Sequence, residues 1–192
     1  MTWKECKYLI KQDLMRSSDS VTKIAALKFL ITNASFKMTF LFRVGSYLQK
    51  KHCKFFYYLV AWHYKQLMYK TGIQLPIGTQ VGEGLKFYHF SNVVVNKNAI
   101  IGSNASIYNG VTIGINLSPD GNTLSPIIGD NVVLCTGAKV IGNVKVGSYS
   151  VIGANAVVVK DIPEKCVAAG VPAKVLQENV GHKYVKLFIE HK

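Results

Sequence analysis

The stretches "VNKNAIIGSNASIYNGVTIGINLS" (residues 95–118) and "IGDNVVLCTGAKVIGNVKVGSYSVIGANAVVVKDIP" (residues 128–163) repeat every six residues. The hexads begin at Val95, Ile101, Ile107 and Ile113, and then at Ile128, Leu134, Val140, Val146, Ile152 and Val158. All ten open on a β-branched residue or leucine, five have glycine second, and eight have Ala, Val or Ser fifth. Short units in tandem signal a solenoid, in which each rung covers its neighbour's apolar face. The bulky opening residue suits a short strand and an inward side chain. The glycine is expected to serve the turn, and the small fifth residue to leave room near the corner. Three strands make one triangular coil. The fold class is therefore mainly β, a parallel β-helix over residues 73–176, with a small α-helical region over 1–72 and a tail over 177–192.

The two sets are out of phase. Ile113 and Ile128 are fifteen residues apart, so a loop over 115–127 must leave the coil, and the composition of "INLSPDGNTLSPI" agrees. Long loops in compact domains are often functional.

Before Gly72 the apolar residues recur at helical spacing, as in Phe36, Phe40, Val44, Tyr47 and Leu48, and Thr71-Gly72 supplies a stop. Three or so helices are expected. Residues 1–70 carry 13 Lys/Arg against 3 acids, a net +10 of the chain's +13. "KKHCKFFYYLVAWHYKQLMYK" (50–70) mixes lysines with aromatics, as interfacial helices do and as helices packed on their own domain also do. Peripheral contact with the inner face of a membrane is one expectation, an ordinary solvated helix face the other. The apolar run "FFYYLVAW" (55–62) is far too short to span a bilayer. The N-terminal "MTWKECKYLI" does not read as a secretory signal. Cys6, Cys53, Cys135 and Cys166 show no ligand spacing, so a cytoplasmic protein with reduced thiols is expected. Nucleic-acid binding would rest on charge alone, with two arginines, and is not expected.

The hexads, His89 in "FYHFSNVVVN" (87–96), the interrupting loop and "AAGVPAKVL" (168–176) together resemble the left-handed β-helix acyltransferases, specifically the serine acetyltransferase branch. The resemblance implies a left-handed coil, a homotrimer, and acetyl-CoA as co-substrate in the groove between adjacent prisms. It puts the general base at His89. Neutral imidazole suits that role, taking a hydroxyl proton as the oxygen attacks the thioester. For the cofactor it points to Gly114, Thr136, Gly137, Ala154, Gly170, Val171, Pro172 and Lys174. Small residues there let backbone amides approach the pantetheine arm, and the lysine can pair with phosphate. Carried back from Val95, the six-residue frame makes position 89 an aliphatic opener. Either the frame slips there or the ring lies at a subunit boundary.

The chain departs from the serine acetyltransferase pattern around the acceptor. Tyr88 stands where the aspartate before the histidine would be, and Leu124 and Ser125 stand where an Arg-His pair would end the loop. "GIQLPIG" (72–78) offers no carboxylate, and Glu83 is the nearest candidate to orient the imidazole. Those groups would recognise the ammonium and carboxylate of serine. The expected acceptor is therefore a neutral hydroxyl, held by Tyr88, Asn92, Asn109 and Ser125. A sugar of a capsular, exo- or O-antigen polysaccharide or of its lipid-linked precursor fits that description. Serine O-acetylation is the alternative, and a non-catalytic membrane-surface scaffold is the alternative of another class. A zinc enzyme on the same prism would need three converging histidines, whereas His52, His63, His182 and His191 lie outside the repeats, so no metal is expected. Cys135 occupies a packing position rather than that of a nucleophile.

Overall fold

The structure, a computed structural model, describes all of the chain except Phe90, residues 118–122 and residues 191–192. Four helices precede the coil: α1 (Trp3–Met15), α2 (Lys23–Thr32), α3 (Ala34–Lys50) and α4 (Lys54–Thr71). Thr2 closes a capping box with Glu5 at the start of α1. The side chains of Thr22 and Asn33 cap α2 and α3. Gly72 ends α4 at φ 68°, where a Cβ would stand 2.9 Å from the Asn92 amide nitrogen.

The coil has three parallel faces. The first holds Ile73–Gln74, Val93–Val95, Thr112–Gly114, Lys139–Ile141 and Val157–Val158. The second holds Gln80–Val81, Ile100–Ile101, Ile127–Ile128 and Lys145–Val146, continued by a bridge from Val146 to Ile162. The third holds Lys86–Tyr88, Ser106–Tyr108, Val133–Leu134, Val151–Ile152 and Val167–Ala169, with Lys174–Gln177 added antiparallel at its edge. All ten hexad openers are buried, and so are the described fifth residues, which, Ser150 apart, join the openers in one continuous apolar core.

The glycines do different work from that expected. At Gly102, Gly129 and Gly147 φ is not positive, and a Cβ would lie 2.4 to 2.7 Å from the backbone of the next coil. At these three second positions, all on the second face, stacking therefore demands hydrogen. The left-handed turn falls at the fourth position instead, on Asn104, Gly110, Asn131, Gly137, Tyr149 and Asn155. Asparagine tolerates that conformation better than other non-glycine residues do.

The helices cap the open end of the first coil, as a solenoid requires. Phe42, Met38 and Tyr64 enter the same core as Ile73, Leu75, Leu85 and Phe87. The buried line of α3 runs through Phe36, Thr39, Phe42, Arg43 and Ser46, while Phe40, Val44, Tyr47 and Leu48 are only half buried. Gly45 lies on the face toward the coil, where a Cβ would meet Ile77 at 2.8 Å. Polar groups finish the seal. The Arg43 guanidinium pairs with Asp13 at 2.9 Å and donates to the carbonyls of Val81 and Gly82, and Asp13 accepts from the Leu85 amide. The Tyr64 hydroxyl donates to Leu75, and the Ser35 hydroxyl serves Phe87 as both donor and acceptor.

Beyond the coil, helix α5 (Gly181–Glu190) lies on the outside of the third face, with Val185 packed on Val133 and Val151.

Candidate active site

His89 owes its place to a change of count. Partners in the first coil are twenty residues apart, as in Lys86 with Ser106 and Gln80 with Ile100, whereas Val133 and Val151 are eighteen apart. Phe87 pairs with Ile107 and points inward, and Val95 pairs with Ile113. The corner between the third and first faces thus carries two extra residues, and His89 stands in it, exposed, at φ 49°. The frame slips, and no imidazole is buried in the coil.

Below His89 the same corner recurs in every coil. The Gly110 amide donates to Ser91, Gly137 to Asn109, and Asn155 to Thr136, and the Val157 amide donates to Gly170. Asn109, Thr136, Gly137, Ala154 and Gly170, singled out separately in the sequence, therefore form one column along the edge that begins at His89. The Thr136 hydroxyl donates to the Asn109 side chain at 3.1 Å. Gly137 has φ 73°, and a Cβ there would stand 2.0 Å from Asn155 Oδ1. Val171, Pro172 and Lys174 continue the column as exposed residues. Gly114 belongs to the opposite edge of the first face, where the loop departs, and its carbonyl accepts from Gly142. Ser125 lies at that far edge too, donating to Asn96 at 3.0 Å. Of the expected loop over 115–127, Asn116–Leu117 pairs with Thr123–Leu124 as an antiparallel ribbon, Ile127 already belongs to the second face, and residues 118–122 fall outside the described residues.

Around the histidine the structure places rings rather than carboxylates. Tyr88 stacks on Tyr108 at 4.7 Å, Lys86 stands 4.3 Å above Tyr88, and the His89 ring is 6.3 Å from Tyr108. Burial pushes the Tyr108 hydroxyl up, helped by Tyr88 and Cys135 and opposed by Arg16. Tyr108, which sequence reasoning missed, stands in this cluster beside His89. Its signal was the register, since the residue after the inward Ile107 must stand beside the residue after Phe87. Asn92 shares the corner, exposed at φ 49°.

Glu83 does not orient the imidazole. It sits at the corner before Lys86–Tyr88, against the Tyr8 hydroxyl, which its hydrogen bond holds above the ordinary phenol value. Cys135 is half buried beside the cluster under α5, and burial raises its thiol. No group of three metal-ligating side chains occurs among the described residues.

Comparison with known proteins follows the same outline. The family pattern of the bacterial transferase hexapeptide (six repeats) matches residues 125–160. Serine acetyltransferase of Synechococcus elongatus is 33% identical over 150 residues, which is 78% of this chain and 60% of that protein. The chain thus spans less than two thirds of that relative's length. A solved serine acetyltransferase in complex with CoA superposes with a TM-score of 0.73 at 26% identity, covering 91% of this chain and 71% of that one. The serine acetyltransferase of Neisseria gonorrhoeae in complex with serine gives a TM-score of 0.74 at 28% identity, covering 91% and 70%. In repeat, coil and helical cap alike, the chain is similar to these serine acetyltransferases.

Proposed function

We propose that this protein transfers an acetyl group from acetyl-CoA to a hydroxyl, with His89 as general base. The observation that carries this reading is the edge shared by His89 and the column of small and polar residues beneath it. An acceptor O–H gives its proton to the imidazole as the oxygen attacks the thioester carbon. The C–S bond breaks, and the proton returns to the departing thiolate. The column offers backbone amides and little side-chain bulk along a line suited to a pantetheine arm, with Lys174 near its end for a phosphate. Exposed on one protomer, His89 is suited to a site completed by a second copy, so a trimer with sites between subunits belongs to the proposal.

Serine is the acceptor that the relatives favour, above the polysaccharide hydroxyl expected from the sequence. None of the relatives described here points to a glycan. The second reading, a neutral alcohol, is favoured by one observation. Tyr88 occupies the place of a carboxylate and is stacked on Tyr108, while Ser125 and the exposed Leu124 replace charged groups at the loop. Thiol release from acetyl-CoA is the test, with serine, simple sugars and capsule oligosaccharides as acceptors, alongside His89→Ala. Loss of about a hundredfold or more in kcat on the preferred acceptor is expected for the variant. Full turnover without the imidazole would defeat the assignment.

A further inference from the structure

Between Asp19 and Glu83 the chain has no acidic residue and nine cationic ones. Within that stretch α4 exposes Phe55, Phe56, Tyr58, Leu59, Trp62 and Tyr69, with Phe55 at 71% and Trp62 at 65%. The lysines at 54, 65 and 70 of the same helix are exposed as well. Only Tyr64 and Thr71 of α4 are buried, so most of its apolar surface is left without a partner in the protomer. Helix α2 repeats the arrangement with exposed Ile24, Leu27 and Ile31, at spacings of three and four, and buries no residue at all. Among the described residues no single helix is long and apolar enough to cross a membrane, and the one pair that is so by length and composition, α2 with α3, is bent by 111°.

We propose that the outward face of α4, with the stripe on α2, docks on an anionic lipid surface. Tryptophan, tyrosine and phenylalanine are the residues that settle at the level of lipid headgroups, and lysine stems lie along apolar surface while their ammonium groups reach the phosphates. Charge chooses the occupant. A second copy of the same face would set cations against cations with no acid to pair them, whereas an anionic leaflet supplies the missing charge. The proposal does not depend on the acetyl-transfer reading.

The full chain, carrying Trp3→Phe so that Trp62 alone reports, is sedimented with phosphatidylcholine vesicles and with vesicles containing about 30 mol % phosphatidylserine. Co-sedimentation with the anionic vesicles only, lost at high salt and accompanied by a blue shift of tryptophan emission, is the expected result. Each of Lys54→Gln, Lys65→Gln and Lys70→Gln should lower partitioning roughly fivefold. Phe55→Ser combined with Trp62→Ser should abolish it while the circular dichroism stays unchanged. The proposal falls if the folded chain stays in the supernatant, or if the serine variant binds undiminished. It falls equally if that variant changes the oligomeric mass, which would assign the face to another copy, or if the chain is retained by nucleic acid but not by vesicles.

Discussion

Tyr88 and Tyr108 lie face to face one coil apart, 4.7 Å between centroids and 8° from parallel. The pair fills the neighbourhood of His89 with aromatic surface where charge recognition of an amino acid would call for a carboxylate. Tyr88→Asp removes the stack and puts a carboxylate beside the imidazole. Loss of the stack should cost about 0.5–1.5 kcal/mol in urea denaturation. A gain of roughly tenfold or more in kcat/KM for serine relative to neutral alcohols is the expected kinetic result. An unchanged acceptor ratio would show that position 88 does not touch the acceptor.

The helical cap is pinned by a buried ion pair. Burial drives the Asp13 carboxyl upward, while Arg43 and the amides of Leu85 and Gly84 pull it back. Asp13→Asn leaves the Arg43 guanidinium sealed in without its counter-charge, and a loss of about 3–5 kcal/mol is expected. Arg43→Met in the same chain should recover part of that loss. Chemical denaturation of the two single variants and the double variant measures the coupling.

Gly137 couples the fold to the site. An alanine at φ 73° costs about 1–2 kcal/mol in backbone strain alone. Its Cβ would also displace the Asn155 side chain. Gly137→Ala combined with Asn155→Gly should be less destabilised than the sum of the two changes, because the glycine vacates the space the methyl needs. Thermal melting of the four proteins decides it.

The thiols should divide into one fast and three slow. Cys53 is exposed, Cys6 and Cys166 are buried, and Cys135 is half buried. Burial raises the thiols of Cys6, Cys135 and Cys166, so each holds its proton at neutral pH and has little reactive thiolate there. A disulfide reagent at neutral pH should consume one thiol rapidly, and Cys53→Ser should remove that phase.

The coil was legible in the sequence because its signal is redundant: ten inward openers report the same period. The reason for the glycines at 102, 129 and 147 was not, since the contact that demands each comes from a chain segment sixteen or more residues away. Position 89 misled for a related reason. Extra residues in a corner leave the pattern on either side intact, so only the pairing of Phe87 with Ile107 reveals the offset. The column beneath His89 was read as scattered positions and became one edge once the corners were stacked. On α3 the helical period was legible, whereas the side that meets the coil depends on close approach at Gly45 to Ile77, a contact between distant segments. Among the polar contacts, the pairing of Asp13 with Arg43 joins residues thirty apart and left no local trace.

The surplus pair of residues at the His89 bend has a bearing on how such a protein changes over generations. Length gained or lost at a bend is invisible to the interior, whose threading resumes unaltered at Val93. Reactive groups mounted there can be exchanged, and the bend itself redrawn, while the frame that carries them keeps its shape.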